Sequence, residues 1–104
     1  MNLMHDLYSM MDEEINGAET YAEKALSCKE SRPELAKAFH QMALDEMKHA
    51  STLEAEIKRL IASEKVRNPK EATETMEAIY SFMHDQFSMK TVKIQMIITR
   101  FKET

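Results

Sequence analysis

Gly17, Pro33 and Pro69 are the only glycine and prolines among 104 residues. With so few backbone breakers, the chain has little room for turns or a sheet. It reads as all-α, one domain over residues 1–104, with two interruptions. Each interruption is written around a proline. Ser31, Arg32, Pro33, Glu34 reads as a serine N-cap, a proline in the first turn and a capping-box glutamate, and Asn68, Pro69, Lys70, Glu71 repeats that kind of signal. Helix one is expected from Asn2 or Leu3 to Ser27 or Lys29, helix two to about Lys65, and helix three from the Asn68, Pro69, Lys70, Glu71 signal onward. Gly17 lies inside helix one, where it costs about 1 kcal/mol relative to alanine. That cost suggests a close approach by another helix.

Heptad stripes give each helix an apolar side. They run Leu7, Met11, Glu14, Ala18, Tyr21, Ala25, Cys28 in helix one and Leu35, Phe39, Met42, Glu46, His49, Leu53, Ile57, Leu60 in helix two. Helix three carries Met76, Tyr80, Met83, Phe87, Lys90, Ile94, Ile97 and Phe101. Only Lys90 interrupts that last stripe, and no carboxylate lies on it, so helix three is expected to pack rather than react. Glu14, Glu46 and His49 are the misfits of the first two. A carboxylate turned to a helical core costs roughly several kcal/mol unless it is paired, neutralised or bound to metal.

Register predicts that the misfits meet. An antiparallel hairpin turning near residues 30 to 32 levels positions equally far from the turn; the midpoint of 14 and 46 is 30, and that of 14 and 49 is 31.5. Glu46 and His49, three apart, share a face of their own helix. Two glutamates and one histidine are half of the inventory of a ferritin-like dinuclear site, which takes a glutamate from each of two helices and a Glu-x-x-His pair from each of two others. Two copies of the hairpin would supply the whole set, and their four carboxylates would balance two divalent ions. The expected assembly is therefore a homo-oligomer built from dimers, in which an antiparallel hairpin from each chain completes a four-helix bundle and the third, C-terminal helix flanks it. Carboxylate and imidazole without thiolate suit iron, manganese or zinc. Iron fits best with redox cycling, since two adjacent ferrous ions can each give an electron to oxygen or peroxide.

Other features bound the reading. A net charge of −4 argues against nucleic-acid binding. No apolar run approaches the roughly 18 residues of a membrane span, and Met1 to Glu14 lacks the pattern of a signal peptide, so the cytoplasm is the default location. Cys28, the single cysteine, permits no intrachain disulfide and is assigned to packing. Met42, Met76 and Met83 fall on core stripes and read as fillers rather than copper ligands. His84 with Asp85 or Glu77 could make a minor surface metal site, though a solvated histidine is the plainer reading. Asp12 and Glu13 read as a solvated acidic face or as a path guiding cations to Glu14. Tyr21, two turns beyond Glu14, either hydrogen-bonds a metal ligand or is a core tyrosine.

The stretch from Asp12 to Leu53 resembles the encapsulated ferritins, half-ferritins with a two-helix core. The likeness covers Glu13, Glu14, Tyr21, the turn Pro33, Glu34, Leu35, and the run Asp45, Glu46, Met47, Lys48, His49, Ala50. The resemblance implies metal ligation by Glu14, Glu46 and His49, a site tyrosine at Tyr21, and Glu13 as an acid on the metal's way in. It also implies a ferroxidase whose di-iron centre assembles between two subunits, with dimers joined in a ring inside an encapsulin shell. Rubrerythrins and full-length ferritins look similar over the same motifs, but carry a second helix pair in the same chain. This sequence departs from the family at Thr20, where a tryptophan is expected, and at Asn16, where a second acid is. Its helical pattern also continues through Phe101, Lys102, Glu103 and Thr104 in place of a flexible tail with a docking peptide.

The expected function is thus oxidation of Fe(II) to Fe(III) at a shared di-iron centre for iron storage or detoxification, with Glu46 bridging and Glu14 and His49 terminal. Two alternatives stand beside it. One is a rubrerythrin-like peroxide-reducing protein, which the lack of a Cys-x-x-Cys electron-transfer module disfavours. The other is a non-enzymatic helical assembly protein whose Glu46 and His49 merely bond each other.

Overall fold

The structure, a computed structural model, describes residues 2–69 and 71–103. Three helices account for nearly all of them: α1 (Asn2–Ser27), α2 (Pro33–Arg67) and α3 (Glu71–Glu103), with no strand among the described residues. α1 and α2 form an antiparallel hairpin, and α3 lies along one side of it.

The first turn is tighter than the capping box would make it. The Arg32 amide donates to the Cys28 carbonyl at 2.8 Å, which holds Ser31 inside the turn. Arg32 is the N-cap, without a side-chain cap, and Pro33 is the first helical residue. The expected Ser31 cap is therefore replaced by backbone bonding of the turn, and the Pro33 signal alone sets the start. α2 runs two residues past the expected Lys65, to Arg67. It ends at Asn68, whose amide donates to the Glu64 carbonyl at 2.8 Å. Asn68 is extended, as the residue before a proline prefers. Lys70 of the second signal lies outside the described residues.

Small residues line the α1–α2 contact. Ala18, Ala22 and Ala25 of α1 and Ala36, Ala43 and Ala50 of α2 are buried, with Ile57 and Ile61 continuing the line. At Ala36, Ala43 and Ala50 this line runs one position after the stripe expected for α2, rejoining it at Ile57, and one residue turns a helix by about 100°. Leu35 and Met42, expected in the core, are instead 47% and 40% exposed. The reason is the alanine seam: helices that touch through methyl groups come close, and the larger neighbours are left at the rim. α1 also buries Met4, Tyr8 and Ile15 on a second side, against α3.

α3 follows its expected stripe. Met76, Phe87, Ile94 and Phe101 are buried, and Tyr80, Met83 and Ile97 pack half-buried against the same core. Lys90, the interruption, reaches α1, where its amine donates to Asp12 Oδ1 at 3.2 Å and Asn16 Oδ1 at 3.3 Å. Lys93 pairs with Glu19 at 3.1 Å, and Lys29 both donates to the Phe101 carbonyl and lies over its ring. Cys28 is half-buried beside Ala25, Ala36 and Phe101, which agrees with a packing role.

The result is a rod of 56 × 18 × 15 Å. Its 7008 Å² of accessible surface exceeds the roughly 6,000 Å² expected of a folded monomer of this mass. Part of the excess is the α1–α2 face turned away from α3. Leu3 and Met10, eleven and four residues before Glu14, and Leu35 and Met42, at the same spacings before Glu46, carry exposed apolar side chains along it.

Ile57 is fully buried where the seam passes from alanine to larger side chains. Ile57→Ala should cost about 2–5 kcal/mol of stability and lower the melting temperature of the metal-free chain, measured by circular dichroism.

Candidate metal centre

The register argument holds in three dimensions. Glu14 on α1 and Glu46 and His49 on α2 each offer a ligand atom, and these atoms lie within 4.8 Å of one another. His49 Nδ1 stands 3.3 Å from Glu14 Oε2 and 3.9 Å from Glu46 Oε1. The Glu14, Glu46 and His49 side chains are 28%, 26% and 58% exposed, so the group is open to solvent.

Gly17 makes room for it. A Cβ at that position would stand 3.2 Å from Glu46 Oε2, tighter than ordinary contact. The helix-weakening glycine is therefore the close approach that the sequence suggested, and what approaches is the Glu46 carboxylate.

Two carboxylates in one partly dehydrated place cannot both ionise freely. The Glu46 carboxyl is pushed up to about 7, first by sharing a hydrogen bond with Glu14, then by burial and the charge of Glu14, with His49 pulling the other way. A divalent cation held by both carboxylates would offset that repulsion. Oxygen and imidazole donors with no thiolate are the chemistry of a carboxylate-bridged iron site, and manganese or zinc would suit the same donors.

The other proposed site residues fall around this group rather than within it. Glu13 is exposed and outside the cluster. Asp12 is engaged by Lys90 and Asn16, whereas Glu13 is exposed. Tyr21 is half-buried and stacks on Phe39, with ring centroids 6.1 Å apart. Glu77 pairs with Lys65, and His84 meets Glu54 of α2 at 3.1 Å. His84 is thus engaged by a carboxylate of α2, and Glu77, one of its two expected partners, is paired with Lys65 instead. Glu54 was missed because it lies off the α2 stripe and its partners are 26 and 30 residues away, beyond the reach of local spacing.

The rubrerythrin family model matches residues 7–101, which takes in parts of all three helices. The chain belongs to the rubrerythrin family. It is a ferritin-like protein of the di-iron type, and the Glu14, Glu46 and His49 cluster is the described group whose donors fit that metal. No curated protein and no solved structure shows significant similarity to this rubrerythrin-family chain. No helix among the described residues is long and apolar enough to cross a membrane.

Two outcomes follow. Gly17→Ala should raise the stability of the metal-free chain by up to about 1 kcal/mol through helix propensity, yet weaken metal binding by displacing the Glu46 carboxylate; thermal melts and metal titration read the two effects separately. Because the Glu46 carboxyl is raised, its contribution to stability is complete below its ordinary value of 4.5 and is lost as pH rises through about 7. The metal-free chain should therefore melt lower at pH 8 than at pH 5, and Glu46→Gln should flatten that slope.

Proposed function

We propose that two copies of the chain dock through their α1–α2 faces and oxidise ferrous iron at a di-iron centre to which each contributes Glu14, Glu46 and His49. The observation that carries this reading is the half-site itself. Three ligands converge on one face, and that face is open and flanked by exposed Leu3, Met10, Leu35 and Met42. A second hairpin laid antiparallel on it would supply the ligand inventory of a ferritin-like bundle.

Each side chain then has a task. Glu14, Glu46 and His49 of each chain would hold the ions, with the Glu46 carboxylate set close against Gly17. Glu13 draws cations toward the opening by its charge. Tyr21, two turns along α1 from Glu14, is within the dimer face and can hydrogen-bond a ligand. Paired ferrous ions bound there supply two electrons to oxygen or peroxide. Docking excludes water from the carboxylates, which makes the ionised pair still more dependent on the cations. This arrangement, with the centre between chains, is that of the encapsulated ferritins, and an encapsulin shell is the corresponding destination for oxidised iron, for storage or detoxification.

Peroxide reduction is a second reading, compatible with the family to which the chain belongs. It uses the same ligands, and the two differ in whether peroxide or oxygen is consumed faster.

Anaerobic ferrous titration followed by air tests the proposal. Binding should saturate near one iron per chain with rapid growth of ferric-oxo absorbance, and both should be lost in Glu46→Ala. Molar mass by light scattering should double with metal in the native chain and not in the variant. Unchanged metal content in Glu46→Ala, with mass indifferent to metal, would instead leave a helical assembly protein.

A further inference from the structure

Further along α2 from the candidate centre, a second cluster joins α2 to α3. Glu54 lies eight residues beyond Glu46, about a quarter turn round the helix. Its Oε1 accepts a hydrogen bond from the Tyr80 hydroxyl at 3.0 Å and stands 3.1 Å from His84 Nδ1. His84 Nε2 in turn lies 3.5 Å from Ser88 Oγ, one turn on along α3, and the Tyr80 and His84 rings stack 5.7 Å apart.

We propose that Glu54 and His84 form a second metal site, binding one divalent transition ion of the zinc type in the cleft between α2 and α3. The spacing of the donors fits. An ion about 2.1 Å from each of two donors holds them roughly 3.0 Å apart at a right angle and roughly 3.4 Å apart at a tetrahedral angle, and 3.1 Å lies between these. The supporting contacts fit as well. A ligating histidine commonly engages a partner through its other ring nitrogen, and a ligating carboxylate is commonly hydrogen-bonded in turn. Ser88 and Tyr80 occupy those two positions.

Space is available for the remaining ligands. Glu54, His84 and Ser88 line a cleft of about 310 Å³, together with Met11 and Met47, so water or a small anion can complete the coordination. Within the adjoining core, the Tyr8 hydroxyl is buried with no hydrogen-bond partner among the described residues. Its phenol is pushed up to about 12 by burial and then by the charge of Glu54, which sets that carboxylate's negative field close to an unused polar group. An ion on Glu54 offsets that field. An ion pair between Glu54 and a protonated His84 would also tie α3 to α2, but it would bind no metal.

Zinc titration by calorimetry separates the two, with the full-length Glu46→Ala chain as host so that the shared centre does not contribute. The host should bind one zinc ion per chain, and this binding should disappear in the double variants carrying His84→Ala or Glu54→Gln. Tyr80→Phe should weaken it about 10- to 100-fold, the effect of removing a partner of a metal ligand. Far-ultraviolet circular dichroism verifies the helices in each variant. Absence of zinc binding in the host, or binding that neither His84→Ala nor Glu54→Gln changes, overturns the proposal. The shared centre is judged independently, since its iron titration is read in the native chain against Glu46→Ala.

Discussion

The distance between α1 and α2 governs what this protein can do, and side chains of one carbon or none set it. Alanines at 18, 22, 25, 36, 43 and 50 let the two backbones approach, and Gly17 removes the last methyl where the Glu46 carboxylate must fit. A larger residue at any of these places would part the helices and move the ligands from their mutual reach. Packing and chemistry are therefore the same problem here: the seam that supplies hairpin contact also compresses two acids and an imidazole into one space.

That compression opposes the stability of the metal-free chain. The Glu46 carboxyl is pushed up by its hydrogen bond with Glu14, by burial and by the Glu14 charge. A folded hairpin that carries such strain gains free energy when a divalent ion binds both carboxylates, so metal binding and folding are linked in the same direction. α3 stabilises the hairpin without relieving the strain, since it covers the opposite side and its lysines serve Asp12 and Glu19 rather than the ligands.

Most of this was legible in the sequence because helices express their neighbours through local spacing. Two prolines marked the breaks, and the hairpin midpoint brought Glu14 to Glu46 and His49 without any knowledge of side-chain contacts. The α3 stripe was legible for the same reason, down to Lys90 as its single exception. Two kinds of information were not. Alanine carries little weight in an apolar pattern, so the buried line of α2 was read one position early, through Leu35 and Met42, which lie at the rim. Contacts between helices that no hairpin symmetry relates, such as Glu54 with Tyr80 and His84, leave no periodic trace at all.

The rod-like outline bears on how the molecule behaves in solution. A body 56 Å long and 18 × 15 Å across sweeps out a larger volume as it tumbles than a sphere of equal mass. Its frictional drag is raised to match, and a single chain will elute and sediment as though it were of a different mass. Two such rods laid side by side thicken the particle without lengthening it, so association makes it rounder and the drag per unit mass falls. Retention time and diffusion therefore understate the change from one chain to two, whereas rotational correlation and scattering at low angle register the change in shape directly.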